Sequence, residues 1–218
     1  MCSWSGAAND RFGTRLPTGA ATSLRFRCSK SLSLSRVRSQ RKPRATSGPQ
    51  FPPYTVVYDG PQYSLRMYDP YPVVRMSYQR RDEAFLALGT YFDGRNEGSI
   101  RFKETQPAIM THAPEGTKTM ELFVGDSKDG KGSSKPPLPG HPELYLAAGG
   151  GELVAVQQFE GNITPPEAQA VRQKLISALQ KDGVQLAENE ENGGFRVAQY
   201  GALFSLGRLN ELMLKVKL

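Results

Sequence analysis

Cysteine and tryptophan are absent from the chain after residue 50. Both cysteines, Cys2 and Cys28, and the single tryptophan, Trp4, lie in the first 50 of the 218 residues. If those residues are removed, the remaining protein can form no disulfide, no cysteine-ligated zinc or iron–sulfur site and no thiol nucleophile. The sequence also has no run of about 18 apolar residues, so we expect no membrane-spanning helix.

Acidic residues are nearly absent from the first 50 residues, where Asp10 is the only one. Ten Lys and Arg residues give this segment a net charge of +9, and it is rich in serine. Such a composition is typical of an organelle transit peptide, and the many Ser and Thr residues favour the plastid. We therefore predict that residues 1–48 are a disordered transit peptide, cleaved near residues 44–46. The alternative is a disordered basic tail that binds an anionic partner.

The rest of the chain has 18 basic and 20 acidic side chains, a net charge of −2. The basic isoelectric point therefore belongs to the leader, and the remaining residues have no excess of positive charge with which to bind phosphates. We expect no nucleic-acid partner. The expected location is the chloroplast, with the protein soluble or peripherally associated with thylakoids or lipid bodies.

Residues 51–218 are predicted to form one α+β domain. Runs of β-branched and aromatic residues bounded by turn signals predict strands, and two longer stretches predict helices. The strands are expected at 54–58, 63–68, 72–78, 107–112, 118–124, 143–146, 152–159, 195–200 and 209–216, the helices at 82–92 and 165–181, and a mobile polar loop at 126–142. Each half then reads strand, helix, strand, strand, which predicts two pseudo-symmetric repeats in a mainly antiparallel sheet that carries two helices.

The two predicted helices differ in how their apolar residues are distributed. Those of the second helix form a single stripe, as expected for a helix with one face on a sheet. In the first helix Phe85, Leu88 and Phe92 share one side, whereas Leu86 falls well away from them at 100° per residue. Apolar surface left over beside a core indicates a partner surface or the wall of a ligand cleft. The alternative is that neighbouring loops, especially 199–209, cover it.

Recognisable catalytic motifs are missing. The chain has no HExxH, GxSxG, P-loop or dinucleotide-binding glycine pattern, and the run Gly149–Gly151 precedes a predicted strand rather than a helix. Its two histidines, His112 and His141, belong to no catalytic grouping. The sequence therefore gives no argument for an enzyme.

Several segments, taken in order, resemble the SOUL haem-binding protein family. The run Phe85-x-x-Leu88-x-x-Tyr91-Phe92-x-Gly94-x-Asn96 is similar to the F-x-x-L-x-x-Y-I-x-G-x-N run of that family. Thr105–Ala108 corresponds to the family's M-T-A-P-V segment, and Val154–Gly161 with the following helix resembles its central strand and second helix. Arg208–Glu211 resembles part of its closing R-R-N-E-V strand. The similarity covers nearly all of residues 54–218. Two positions depart from the family pattern: Glu104 replaces its methionine and Leu209 its second arginine.

This resemblance implies a distorted barrel flanked by two helices, and binding of haem or a related tetrapyrrole in an apolar cleft. In the family that cleft lies between the first helix and the loop before the last strand, which corresponds here to residues 201–208. A macrocycle needs an apolar wall, and cations for its propionates. The expected site residues are Phe85, Leu86, Leu88, Gly89, Phe92, Leu203, Phe204 and Leu206 for the wall, and Arg208, Arg80 and Arg81 for the propionates.

Two functions are compatible with this sequence. The first is non-catalytic binding of a tetrapyrrole, as a carrier or buffer in the plastid. The alternative is a structural or interaction protein that docks its apolar patch on a lipid body or on a plastid protein partner, without a cofactor. Neither histidine lies in the two cleft segments, so we assign no metal ligand and expect iron-free porphyrin to bind about as well as haemin.

Overall fold

The computed structural model describes residues 48–130, 135–161, 163–201 and 209–217. The predicted transit peptide therefore lies outside the described residues, except for Gly48. Gln50 is held to the domain by two backbone hydrogen bonds: its N–H donates to the Glu104 carbonyl (2.9 Å), and its carbonyl accepts from the Gln106 N–H (2.8 Å). Its side-chain amide also donates to an Asp126 carboxylate oxygen at 2.7 Å. Cleavage near residues 44–46 would leave these contacts in place.

One antiparallel sheet forms the body of the domain. In the described residues its nine strands are β1 (Tyr54–Asp59), β2 (Ser64–Tyr68), β3 (Tyr71–Ser77), β4 (Ala108–His112), β5 (Lys118–Phe123), β6 (Tyr145–Gly149), β7 (Glu152–Glu160), β8 (Phe195–Gln199) and β9 (Leu209–Lys215). Their order across the sheet is β1-β2-β7-β9-β8-β4-β5-β3-β6, which is linear, and the sheet curls into a half-barrel. The predicted α+β class is confirmed. The pseudo-symmetry of the two halves stays a prediction.

The part of the chain that the structure describes also contains three helices: α1 (Arg81–Phe92), α2 (Pro165–Lys181) and the short α3 (Glu188–Glu191). The two long helices begin and end within one residue of the prediction. The sequence predicted the start of α2 well because Thr164 and Glu167 form a capping box there. We did not predict α3, because its four residues are all polar and carry no apolar period.

The prediction for β6 is wrong by several residues. We expected a strand at 143–146, but residues 141–144 form a turn in which the Leu144 N–H donates to the His141 carbonyl. The strand starts at Tyr145 and continues to Gly149, because each of these residues pairs with β3. Two alanines and a glycine in that stretch gave no strand signal, since strand propensity reflects packing more than backbone preference.

Alternation along the strands gives the sheet two buried faces. The helix-covered face holds one core, in which sheet residues such as Val74, Met120 and Leu212 pack with residues of α1 and α2. The opposite face holds a second core that is rich in aromatic side chains, among them Tyr68 and Tyr71. α1 lies over β3 and β5, whereas α2 lies over β7 and β9, so each helix covers its own part of the sheet.

Parts of the predicted polar loop are bound to the rest of the domain. Ser127 is buried and bridges to Phe102, and Pro139 bridges to Asn96. The Tyr91 hydroxyl donates to the Pro137 carbonyl at 2.9 Å. The described portions of 126–142 therefore pack against the end of α1 and the segment after it. Residues 131–134 lie outside the described part of the chain.

Candidate functional site on the first helix

The position of α1 is fixed at both ends. Asp82 and Glu83 lie in its first turn, where negative charge favours the positive end of the helix dipole. After the helix, Gly94 adopts a φ of 97°, a conformation that glycine takes without strain. The Asn96 side chain then donates to the Tyr91 and Ile100 carbonyls at 2.8 and 2.7 Å. These contacts fix the segment that follows α1 to the end of the helix.

The buried face of α1 consists of Ala84, Ala87, Leu88 and Tyr91. Of the three residues predicted to share one side, only Leu88 is fully buried; Phe85 and Phe92 are partly buried and pack against the edge of the core. The contact with the sheet is centred on Ala84, Ala87, Leu88 and Tyr91, so at 100° per residue the two phenylalanines lie at its rim.

One flank of α1, from the rim of the sheet contact outwards, carries an apolar surface, which we call the outer face and define by Arg81, Phe85, Leu86, Gly89 and Phe92. Leu86 is 72% exposed. Arg81, Phe85 and Gly89 follow one another at intervals of four residues, and Phe92 lies next to this row, so the helical period places all of them on adjoining lines. The outer face thus has Arg81 at one end, beside the exposed Asp82 that pairs with Arg80, and aromatic rings along its side.

Gly89 has no structural explanation within the helix. The φ angle of Gly89 is not positive, so the backbone conformation does not require glycine. A Cβ atom at this position would meet no side chain or other segment within 4 Å, so packing does not require glycine either. Glycine inside a helix costs about 1 kcal/mol relative to alanine. The position leaves flat, open backbone in the middle of the outer face, where a side chain would fill the space a planar ligand needs.

An aromatic cluster supports one end of the outer face. The Phe92 ring lies edge-on to Tyr91 and Phe102, with ring centroids 5.8 and 6.0 Å away. Tyr91 and Phe102 are themselves stacked at 5.5 Å. Such pairs restrain ring orientation and stabilise beyond the area that they bury. Phe92 is therefore a fixed part of the surface.

The two arginines proposed for propionates differ in availability. Arg80 forms ion pairs with Asp82 at 2.7 Å and Glu83 at 3.4 Å, so its charge is already balanced within the same helix. Arg81 forms no ion pair with any residue that the structure describes. Since Arg81 also lies in the row of Phe85 and Gly89, it is the better placed cation.

The second segment of the predicted cleft falls outside the described residues. Leu203, Phe204, Leu206 and Arg208 belong to residues 202–208, of which the structure describes none. A backbone hydrogen bond joins the residues on either side of this segment: the Tyr200 N–H donates to the Leu209 carbonyl at 3.0 Å. The Gly201 N–H donates to the Gln106 side chain at 3.3 Å.

A buried polar network holds the two strands that flank this segment, and the sequence did not reveal it. Glu211 is 2% exposed and accepts two parallel hydrogen bonds from the Arg66 guanidinium, at 2.9 and 2.8 Å. The same carboxylate accepts from the Tyr200 hydroxyl at 2.7 Å and from Gln158 at 3.1 Å. The Arg66 guanidinium also lies 4.8 Å from the centre of the Tyr54 ring. Glu211, part of the matched closing motif, thus has a structural role.

His112 is in a different environment from the outer face of α1. Its ring stacks on Phe195 with centroids 4.7 Å apart. Burial, and then the positive charge of Lys118, lower the pKa of His112 below its usual range. The imidazole is therefore neutral at physiological pH and engaged with an aromatic neighbour. We assign it no metal.

Comparison with known proteins identifies the sequence family. The model of the family described as "SOUL heme-binding protein" matches residues 50–215, which is most of the chain. A search of curated protein sequences finds no match. None of the described helices is long and apolar enough to cross a membrane.

Two solved structures from Listeria innocua have a similar backbone. One is described as an uncharacterized conserved protein; it has a TM-score of 0.52 and 8% identity, with 72% of this chain and 92% of that chain covered. Another is described as a hydrolase, with a TM-score of 0.50 and 10% identity over the same shares of the two chains. At identities this low the similarity shows the fold alone.

Proposed function

Since the chain belongs to the SOUL heme-binding protein family, we propose that it binds haem or a related tetrapyrrole on the outer face of α1, as a non-catalytic carrier or buffer in the plastid. The observation that carries the proposal is Gly89. Neither its backbone conformation nor its packing requires glycine, yet it lies between the partly buried Phe85 and Phe92 and near the exposed Leu86. A flat macrocycle needs such a gap in order to approach the helix.

The residues of the outer face would have different roles in binding the tetrapyrrole. Phe85, Leu86 and Phe92 would remove the apolar face of the macrocycle from water, which supplies most of the affinity. Arg81 would pair with a propionate, and Arg208, outside the described residues, is proposed as a second partner. Leu88 is completely buried and would act only by holding the helix in place. Haem, when bound, would supply the redox and ligand-binding chemistry of its iron.

Replacing Leu86 by aspartate tests the position of the site. Leu86→Asp is expected to weaken haemin binding at least about tenfold, because it removes apolar contact and places a negative charge beside an anionic ligand. The melting temperature should change little, since the side chain is exposed. Binding is measured by titrating haemin into the full chain and following the Soret band. Iron-free protoporphyrin, followed by fluorescence, should bind with similar affinity.

Val57→Asp provides a matched control, because it places the same charge at an exposed apolar position on β1, which is 42% exposed. It should leave haemin affinity unchanged. Equal affinities in the wild type and Leu86→Asp would place the site elsewhere. The absence of saturable binding in the wild type would favour the alternative function, a surface that docks on a lipid body or on a plastid protein.

The proposed plastid location rests on the leader alone. A fluorescent reporter fused to residues 1–50 is expected to accumulate in chloroplasts, because the segment is basic, rich in serine and almost free of acid. Imaging of plant cells that express the fusion measures this directly. The same reporter fused to residues 51–218 should remain in the cytosol. Cytosolic retention of the 1–50 fusion would instead support the basic-tail interpretation.

A further inference from the structure

A pocket lies beside α2, on the part of the sheet that α1 does not cover. It has a volume of about 820 Å³ and is bounded by the turn at 59–63, the last turns of α2 and the ends of β2 and β7. This volume is in the range typical of small-molecule sites. α2 packs on β7 and β9, whereas α1 packs on β3 and β5, so the pocket is separate from the outer face of α1.

One hydrogen bond joins two walls of this pocket. The Tyr63 hydroxyl donates to the Asp182 carboxylate at 2.8 Å, which ties the 59–63 turn to the end of α2. Burial and the hydrogen bond with Asp182 raise the pKa of Tyr63, so the hydroxyl stays protonated and keeps donating at physiological pH. The turn and the end of α2 are thus connected at one edge of the pocket.

Two lysine side chains without an ion-pair partner line the pocket. Arg66 lies at its base, but Glu211 balances that charge. The side chains of Lys174 and Lys181 line the α2 wall and form no ion pair or hydrogen bond with any residue that the structure describes. They lie two helical turns apart on one side of the helix. Asp59 is the only acidic residue in the lining, and the nearby Asp182 carboxylate accepts the Tyr63 hydrogen bond.

The base of the pocket also contains a hydrogen-bond acceptor with no donor. The Gln157 side-chain oxygen is buried and has no partner within the described part of the protein. Such a group costs free energy unless something donates to it, and the final torsion of a glutamine rotates easily. Three more glutamines and two serines line the same space: Gln62, Gln158, Gln173, Ser64 and Ser177. Amides and hydroxyls in this number suit a ligand with several hydroxyl groups.

We propose that this pocket binds a phosphorylated sugar, with its phosphate between Lys174 and Lys181 and its hydroxyl groups on the glutamine amides at the base. The lysines supply charge-assisted hydrogen bonds to the phosphate. Rotation of the Gln157 side chain would bring its buried oxygen to a sugar hydroxyl, which would donate to it. The lining is predominantly polar and has no exposed aromatic wall, so it does not suit a tetrapyrrole.

Glucose 6-phosphate is the probe for a first test, with glucose and inorganic phosphate measured beside it. Saturation-transfer NMR and calorimetry on the full chain should show saturable binding of glucose 6-phosphate, and binding of the other two that is at least about tenfold weaker. The double variant Lys174→Gln/Lys181→Gln should weaken glucose 6-phosphate binding about tenfold or more. Lys128→Gln, which removes an exposed lysine outside the pocket, should have no effect.

A further variant tests the sugar part of the ligand. Gln157→Leu should weaken glucose 6-phosphate binding without changing that of phosphate. Absence of glucose 6-phosphate binding, equal affinity in the double lysine variant, or phosphate binding as tightly as glucose 6-phosphate would each overturn the proposal. Haemin binding should be unchanged in the lysine variant, so the failure of either proposal can be recognised separately.

Discussion

Gly89→Leu is expected to weaken tetrapyrrole binding at least about tenfold while raising the melting temperature of the protein. The leucine side chain would occupy the open space over the helix, where a Cβ atom meets no side chain or other segment within 4 Å, and would hold the macrocycle away from the backbone. Leucine also favours the helix over glycine by close to 1 kcal/mol. Haemin titration and thermal unfolding of the same samples measure the two effects.

Opposite changes in affinity and stability distinguish this result from a folding defect. Gly89→Ala should raise stability in the same way and weaken binding less, because its side chain is smaller. Gln169→Leu adds a leucine at an exposed position of α2, away from the outer face, and should leave affinity unchanged. If Gly89→Leu bound haemin as tightly as the wild type, the glycine would have no part in the site.

Glu211→Ala is expected to lower the free energy of unfolding by about 3–5 kcal/mol. The substitution would leave the Arg66 guanidinium charged and unpaired in a buried position, where its side chain is 9% exposed. It would also remove the acceptor of the Tyr200 hydroxyl, which lies at the start of the 201–208 segment. Urea unfolding followed by circular dichroism measures the loss.

Removing both charges gives a control for this prediction. Arg66→Met combined with Glu211→Leu should recover most of the lost stability, because apolar replacements leave no unpaired charge. A loss of less than about 1 kcal/mol in Glu211→Ala, the size of an ordinary surface substitution, would show that the network contributes little.

Local sequence signals predicted the parts of the fold that depend on neighbouring residues. The capping box fixed the start of α2, and the single apolar stripe identified its sheet-facing side, where Ala168, Leu175 and Leu179 are buried. Arg172 is the exception within α2: it is charged, yet it is buried and its guanidinium donates to the Glu190 carbonyl. Its partner is 18 residues away in an element that the sequence did not indicate.

The candidate site was harder to predict, for two physical reasons. The helical period alone does not determine which side of α1 meets the sheet, because its apolar residues form no single stripe; Ala84 and Ala87 are buried, whereas Phe85 and Phe92 are only partly buried. The buried pair of Arg66 and Glu211 joins residues 145 positions apart, so no local pattern connects them. The excess of apolar residues on α1 and the family resemblance predicted Leu86 and Gly89 as site residues. In the structure Leu86 is exposed, and a Cβ atom at Gly89 would meet no side chain or other segment within 4 Å.

Hydrogen exchange of the full chain, with and without protoporphyrin, tests the position of the site most directly. Exchange of the amides in residues 81–92 is expected to slow when the porphyrin binds, because the ligand would cover the outer face of α1 and suppress local opening of the helix. Peptides from α2 and the 59–63 turn should be unaffected. Unchanged exchange in residues 81–92 at saturating porphyrin would contradict binding on α1.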